Sequence, residues 1–121
     1  MTEGKAQNDK FYSDTNKFLE HKKMLKHIVM WKLKSDNKTE NIKLMSEKLK
    51  SLKGKIDCIQ DFEVGFSCES GGKIGIFDIV LVSSFKDKND LEKYQKDEEH
   101  LKVGEFIKSV VEGRAVVDYE I

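Results

Sequence analysis

Three polar side chains stand out in this sequence because each can carry a proton and each falls within a largely apolar pattern. They are His27, Tyr94 and His100. Imidazoles titrate near neutral pH, and a phenol donates a hydrogen bond that stabilises an enolate oxygen. Two imidazoles and a phenol around an apolar space would suit acid–base chemistry on a carbonyl compound. A histidine in a strand is also commonly a hydrogen-bonded core residue, so that interpretation of His27 stays open.

The spacing of these residues predicts that they share one space. His27 lies in a segment with a period of two, in phase with apolar residues that must face the helices to be buried. His100 shares a helical face with apolar residues three and seven positions later, and with Gly104. Tyr94 precedes His100 across a predicted helix break near residues 96–98. Gly104 either leaves room for a ligand beside His100 or only permits close helix–sheet packing.

The sequence lacks the common motifs for metals, nucleotides and redox cofactors. HExxH, CxxC, a Walker loop and GxGxxG are all absent. The run at residues 70–75 contains glycines and a lysine, but its spacing is wrong for phosphate binding and it is predicted to be a hairpin turn. Cys58 and Cys68 form no recognisable pattern and are expected to be reduced thiols. We therefore expect neither a metal nor a cofactor.

Composition limits the class of protein. A chain of 121 residues suits one domain, and its 22 basic and 22 acidic side chains balance. Binding to nucleic acid or to a membrane surface would need a net basic field, so neither is expected. No run approaches the roughly 20 apolar residues of a membrane span, and the N-terminus has no apolar signal core. These features favour a cytoplasmic protein.

Hydrophobic periodicity divides the chain into a polar extension, residues 1–23, and one domain, residues 24–121. The extension is expected to be disordered or to form a short helix. Alternation predicts strands and helical spacing predicts helices, with Gly54 as a helix stop and Asp87 or Asn89 as a helix cap. In order, these are a strand at 25–34, a helix at 42–56, strands at 60–68 and 74–85, a broken helical region at 90–112 and a strand at 114–121.

This element order, β-α-β-β-α-β, predicts an α+β, ferredoxin-like fold. Right-handed crossovers place both helical regions on one face of a four-stranded antiparallel sheet. The opposite, helix-free face would carry Ile28, Met30, Val80, Val82, Val117 and Tyr119. An apolar sheet face of this kind should not remain in water, so we expect a homodimer that packs sheet against sheet.

Three runs of residues resemble the stress-responsive dimeric α+β-barrel (Dabb) family over residues 24–121. They are KHIVMWKL at 26–33, YQKDEEH at 94–100 and AVVDYEI at 115–121. The resemblance implies a ferredoxin-like protomer and a homodimer whose sheets form a barrel. A plant polyketide cyclase of this family uses a first-strand histidine, a tyrosine and a histidine six residues later. Those positions match His27, Tyr94 and His100.

The same resemblance helps to define a ligand pocket, with two differences at its wall. Leu49 stands where that enzyme has a tyrosine, and Arg114 where it has a leucine. The candidate ligand-binding residues are Val29, Trp31, Leu49, Leu81, Val103, Gly104, Arg114 and Val116. Three functions remain open: a protein that binds a small apolar or carbonyl-containing molecule, a cofactor-free cyclase, aldol- or isomerase-type enzyme, and a haem or quinol oxygenase by analogy of fold.

Overall fold

The computed structural model describes residues 24–68 and 77–121. The predicted extension at 1–23, the predicted turn at 70–75 and the start of the predicted strand at 74–85 lie outside the described residues. The elements are β1 (Leu25–Leu33), α1 (Lys38–Ser51), a 3-10 turn (Leu52–Gly54), β2 (Asp61–Phe66), β3 (Ile79–Phe85), α2 (Lys88–Lys96), α3 (Glu98–Val110) and β4 (Val111–Glu120).

The sheet confirms the predicted α+β, ferredoxin-like topology. Its four strands are antiparallel in the order β2-β3-β1-β4, so β1 is a central strand and β4 lies at an edge. In this register His27 of β1 lies opposite Ser83 of β3 and Asp118 of β4. Because side chains opposite each other point to the same face, Asp118 is brought to the helix-covered face beside His27.

The break between α2 and α3 is where the sequence placed it. Asp97 has an extended backbone, and its carboxylate accepts a hydrogen bond from the backbone N–H of Glu99 at 2.8 Å. Asp97 thus ends α2 and caps α3, as aspartate does at a helix N-terminus. Asp87 caps α2 in the same way, accepting from the N–H of Asp90 at 3.0 Å. No helix in the described ranges is long and apolar enough to cross a bilayer.

Several boundaries differ from the predictions. The helix predicted at 42–56 begins earlier and ends in a 3-10 turn, and α3 ends at Val110 because the next residue already pairs with β1. The strand predicted at 74–85 is shorter, since regular pairing begins only at Ile79. Just before it, the carboxylate of Asp78 accepts a hydrogen bond from the backbone N–H of Leu33 at 2.8 Å. The backbone N–H of Leu33 is therefore paired with a side chain and not with the backbone of a neighbouring strand.

The core lies between the helices and one face of the sheet. Its fully buried members include Val29, Leu33, Met45, Leu49, Leu52, Ile79, Leu81, Phe85 and Tyr94. The other face is covered less well. Val117 is 50% exposed and Tyr119 is 44% exposed there, while Ile28 and Val82 are half-buried. The protomer thus leaves an apolar sheet face partly open to solvent.

Candidate functional site

A small cavity lies between the helices and the sheet, and the three proton-carrying side chains all line it. Its volume is about 60 Å³. The ring of Tyr94 lies 4.5 Å from that of His100 and 6.3 Å from that of His27, measured between centroids. The structure therefore brings together the three residues selected from the sequence. Their catalytic roles remain predictions.

Seven of the eight candidate ligand-binding residues also line this cavity, namely Val29, Trp31, Leu49, Leu81, Val103, Gly104 and Arg114. Val116 does not. It faces the helices but is 41% exposed on the edge strand β4, outside the enclosed space. Gln95 and Ile107 line the cavity and were not among the candidates. Ile107 was recognisable from its helical phase with His100, whereas nothing in the pattern singled out Gln95.

Tyr94 is the most deeply buried polar group of the site. The residue is 1% exposed, and its ring packs against Phe85 at 5.0 Å and Phe62 at 6.1 Å between centroids. Burial, with a smaller contribution from the Cys58 thiol, raises the pKa of the phenol well above its ordinary value. The group therefore stays protonated near neutral pH and serves as a hydrogen-bond donor, not as a base.

The Tyr94 hydroxyl forms no hydrogen bond with any residue of the described ranges. In those ranges, Ser84 Oγ is the only polar side-chain atom that is sealed from solvent and also lacks a hydrogen-bond partner. The unpaired Tyr94 hydroxyl consequently keeps access to space large enough for a solvent molecule. The cavity that Tyr94 lines is one space of this kind.

His27 is held by a carboxylate that the sequence did not single out. Its Nδ1 lies 2.5 Å from Oδ1 of Asp118, and the histidine residue is 4% exposed. Because an ionised carboxylate only accepts hydrogen bonds, Nδ1 carries the hydrogen. In the neutral ring, Nε2 then keeps a free lone pair. The pairing suits both interpretations of His27, a hydrogen-bonded core residue and an oriented functional one.

His100 has a defined tautomer as well. Its Nδ1 lies 3.1 Å from the carbonyl oxygen of Gln95, which can only accept, so Nε2 is again the free nitrogen. Burial lowers the pKa of this imidazole, the Gln95 carbonyl opposes that change, and the nearby His27 and Arg114 lower the pKa further. His100 is therefore neutral near pH 7 and able to accept a proton at Nε2.

Gly104 lies in the middle of α3 beside the cavity. A Cβ atom added at this position would meet nothing within 4 Å. Close helix–sheet packing is therefore not what glycine provides here. The open space beside Gly104 agrees with the alternative interpretation, in which the missing side chain leaves room next to His100.

Two grooves on the surface are much larger than this cavity. One, of about 400 Å³, includes Leu25, Lys88, Leu91 and Asp118 in its lining. The other, of about 390 Å³, lies between α1 and Phe66. Neither is lined by a histidine or by Tyr94, so the smaller cavity is the better candidate despite its size. Within the described segments, no three His, Cys, Asp or Glu side chains are grouped so that they could hold a metal ion.

Comparison with known families gives one match. The profile described as Stress responsive A/B Barrel Domain (Dabb) matches residues 25–121. No curated protein matches the chain. The family match therefore covers the whole ferredoxin-like domain.

Solved structures share the fold. A dimeric protein of unknown function with a ferredoxin-like fold from Bacteroides fragilis is 31% identical, with a TM-score of 0.73 over 81% of this chain and 96% of that chain. A dimeric ferredoxin-like protein from Jannaschia sp. is 22% identical, with a TM-score of 0.69 over 81% and 99% of the two chains. A hydroxynitrile lyase from Passiflora edulis is 17% identical, with a TM-score of 0.72 over 81% and 93%.

Proposed function

This chain belongs to the stress-responsive A/B barrel domain family, and we propose that it binds a small carbonyl compound in the cavity between its helices and its sheet. The observation that carries the proposal is the Tyr94 hydroxyl. It is a protonated donor without a partner among the described residues, in a side chain that is 1% exposed. Because this hydroxyl keeps access to space that a solvent molecule can reach, a ligand carbonyl oxygen would accept its hydrogen bond in place of water, for a net gain of about 0.5–1.5 kcal/mol.

The size and walls of the cavity limit the ligand. Pockets for drug-sized molecules are typically about 300–1,000 Å³, whereas this cavity is about 60 Å³. Only a small molecule, or a small reactive end of a longer one, fits without rearrangement. Val29 and Leu81 supply apolar wall, and the free Nε2 atoms of His27 and His100 supply acceptors. A polyketide of the size used by the plant cyclase is therefore a poor fit.

A second candidate function is proton transfer on the bound carbonyl compound, without a cofactor. Two features favour it: the hydrogen bond between His27 and Asp118, and the burial of His100, which lowers the pKa of its imidazole. His100 Nε2 would remove a proton from the carbon beside the carbonyl, and Tyr94 would donate to the oxygen that becomes an enolate. The imidazolium of His100 would then return that proton, and His27, oriented by Asp118, would orient the substrate as a hydrogen-bond acceptor at Nε2. A base, a donor to the enolate oxygen and an orienting group are sufficient for an aldol- or isomerase-type reaction.

Other proteins of this fold are compatible with either function. One structural neighbour is named as a hydroxynitrile lyase and another as a putative antibiotic biosynthesis monooxygenase, and others are described only as dimeric ferredoxin-like proteins. Of the haem and quinol oxygenase alternatives, the haem oxygenase has less support. Haem would need a pocket of several hundred Å³, and the cavity beside His27 and His100 is far smaller.

We also propose that the helix-free sheet face forms a homodimer interface. Val117 and Tyr119 are about half exposed on that face, and a second protomer packed against it would bury them. Two of the structural neighbours are described as dimeric. A specific dimer should bury at least about 1,200 Å² in total. Sheet-against-sheet packing would leave the cavity on the opposite, helix-covered side of each protomer free for ligand.

Ligand-observed NMR with small ketones and aldehydes tests the proposed function, with Tyr94→Phe and His100→Ala as variants. Tyr94→Phe removes one hydroxyl and keeps the ring, so binding should weaken by roughly the 0.5–1.5 kcal/mol of one hydrogen bond. Exchange of the α-protons of the same ketones with D2O tests turnover. If the protein catalyses this exchange and His100→Ala abolishes it, the result would support an enzyme. Binding without exchange would support a binding protein. Absence of binding, or binding that neither substitution changes, would contradict the site.

A further inference from the structure

We infer that the ligand of this cavity carries a carboxylate group, which Arg114 holds while the carbonyl oxygen reaches Tyr94. The preferred ligands would then be small oxo acids, not neutral ketones or aldehydes. This inference rests on the proposed binding of a carbonyl compound at the same site.

Arg114 and the proton-carrying side chains line one cavity. Arg114 lies opposite Trp31 in the pairing of β4 with β1, so its side chain starts on the helix-covered face of the sheet. It lines the same space as Tyr94 and His100. Its positive charge is close enough to His100 to act on that imidazole. A ligand that contacts His100 therefore lies within the field of the guanidinium.

The charge of Arg114 is not neutralised by the described part of the protein. No ion pair or hydrogen bond joins the Arg114 guanidinium to a residue in 24–68 or 77–121. The carboxylate of Glu112, two residues earlier, pairs with Lys32 at 3.3 Å. The register shift between Lys32 and Leu33 leaves Glu112 out of the regular alternation of β4. The carboxylate of Asp118 is occupied by His27.

Asp118 and Arg114 therefore stand at two ends of the segment of β4 that runs beside the cavity, and of the two only Arg114 lines it. They are four residues apart on the same face of β4, which corresponds to roughly 13 Å along a strand. Asp118 meets His27, and Arg114 remains available at the other end. An anionic ligand group would avoid the acidic end and approach the basic one. This polarity orients the ligand, with its carboxylate at Arg114 and its carbonyl group between Tyr94 and His100.

Arginine suits a carboxylate better than lysine does. Its planar guanidinium offers two parallel N–H donors to the two oxygens, whereas an ammonium acts as a point charge. Arg114 is the single arginine among the 22 basic residues of the sequence. Its side chain is exposed, so a ligand carboxylate would stay partly hydrated there. The cost of burying a charge is thereby avoided, and only the carbonyl end needs to enter the cavity.

Isothermal titration with acid and ester pairs tests this inference. The probes are 2-oxobutanoate, 4-oxopentanoate and the methyl ester of each, which differ in carboxylate charge and in the spacing from carbonyl to carboxylate. Wild type should bind at least one acid roughly tenfold more tightly than its ester, as a charge-assisted bidentate contact predicts. Arg114→Met should bring the ratio of acid to ester affinity close to one, and Arg114→Lys should give an intermediate ratio. Lys108→Met removes the same charge at an exposed position outside the cavity lining and should keep the ratio.

The possible outcomes separate this inference from the proposed function. Equal affinity for acid and ester in wild type, or a ratio that persists in Arg114→Met, would overturn the role of Arg114. If the esters still bind and Tyr94→Phe weakens them, binding of carbonyl compounds stands without the carboxylate preference. If neither acids nor esters bind, both proposals fail. A ratio that Arg114→Met abolishes and Lys108→Met keeps would support both.

Discussion

His27 on the first strand and Asp118 on the last are joined by a hydrogen bond of 2.5 Å across adjacent antiparallel strands. The partners are 91 residues apart in sequence. The carboxylate selects the tautomer of the imidazole and holds its ring, so the free Nε2 is directed by a second residue. The pair converts a strand histidine into an oriented group at the edge of the cavity.

Asp118→Asn should weaken this orientation without removing volume. Loss of the charge-assisted hydrogen bond should lower the free energy of unfolding by about 1 kcal/mol, which is below the usual value for a charged partner because the Asp118 side chain is 40% exposed. Ligand affinity should fall as well, since an amide no longer enforces one tautomer. Urea denaturation and NMR of the His27 ring measure the two effects. Asp61→Asn, at an exposed position of β2, is the control, and an equal loss there would argue against a specific role for the pair.

The pH dependence of proton transfer should reflect the lowered pKa of His100. The ordinary pKa of histidine is 6.5, and burial shifts that of His100 downward. The free base therefore persists below pH 6.5, and the acidic limb of α-proton exchange should lie below that value. The unfolded state binds the proton at a higher pH than the folded state, so stability should decrease as pH falls from 6.5 through the folded pKa. Exchange rates between pH 4 and 8 check this, and an acidic limb above 6.5 would contradict it.

A side chain added at Gly104 would enter the space beside His100 without a clash at its Cβ atom. Gly104→Ala should raise the free energy of unfolding by up to about 1 kcal/mol, because alanine is the better helix residue and the added Cβ meets nothing within 4 Å. Gly104→Leu should fill the space beside His100 and reduce binding of carbonyl probes. Thermal denaturation and ligand-observed NMR measure both. Unchanged binding in Gly104→Leu would mean that the ligand lies elsewhere.

Val80→Asp should dissociate the proposed dimer. Val80 lies on the helix-free face, opposite Met30 of β1. A carboxylate without a partner in a sheet-to-sheet interface is strongly destabilising, by roughly the 3–5 kcal/mol of a broken buried ion pair. Sedimentation equilibrium at micromolar concentration measures the loss. Leu101→Asp is the matched control, because Leu101 is 55% exposed on α3, away from that face. A wild-type species of 14.0 kDa would itself contradict the dimer.

The N-terminal extension should be dispensable for stability. Its polar composition and the family match, which begins at residue 25, both indicate that the domain starts near Met24. A chain that begins at Met24 should keep its melting temperature within a few degrees, measured by differential scanning calorimetry. A much larger decrease would mean that Phe11, Phe18 or Leu19 packs against the domain.

Much of the site was predictable because its residues obey local rules. Alternation assigned His27 to the buried face of β1, and helical phase assigned His100 to the inner face of α3. The cap formed by Asp97 explains why Tyr94 and His100 meet although six residues separate them. Each of these predictions used only residues within one or two helical turns, or a few strand positions, of the residue in question. Element ends were less accurate, because hydrogen bonds such as that from Leu33 to Asp78 depend on distant residues.

The sequence by itself determined the order and type of the elements, the ferredoxin-like topology and the three side chains that converge, since periodicity and capping are local properties of the chain. The tertiary structure alone decided the partner of His27, the exclusion of Val116, the size of the cavity and the lack of a partner for Arg114 among residues 24–68 and 77–121. These depend on the register of β4 against β1 and on the depth at which α3 packs over the sheet. Both are set by contacts between residues far apart in sequence, which no local pattern records.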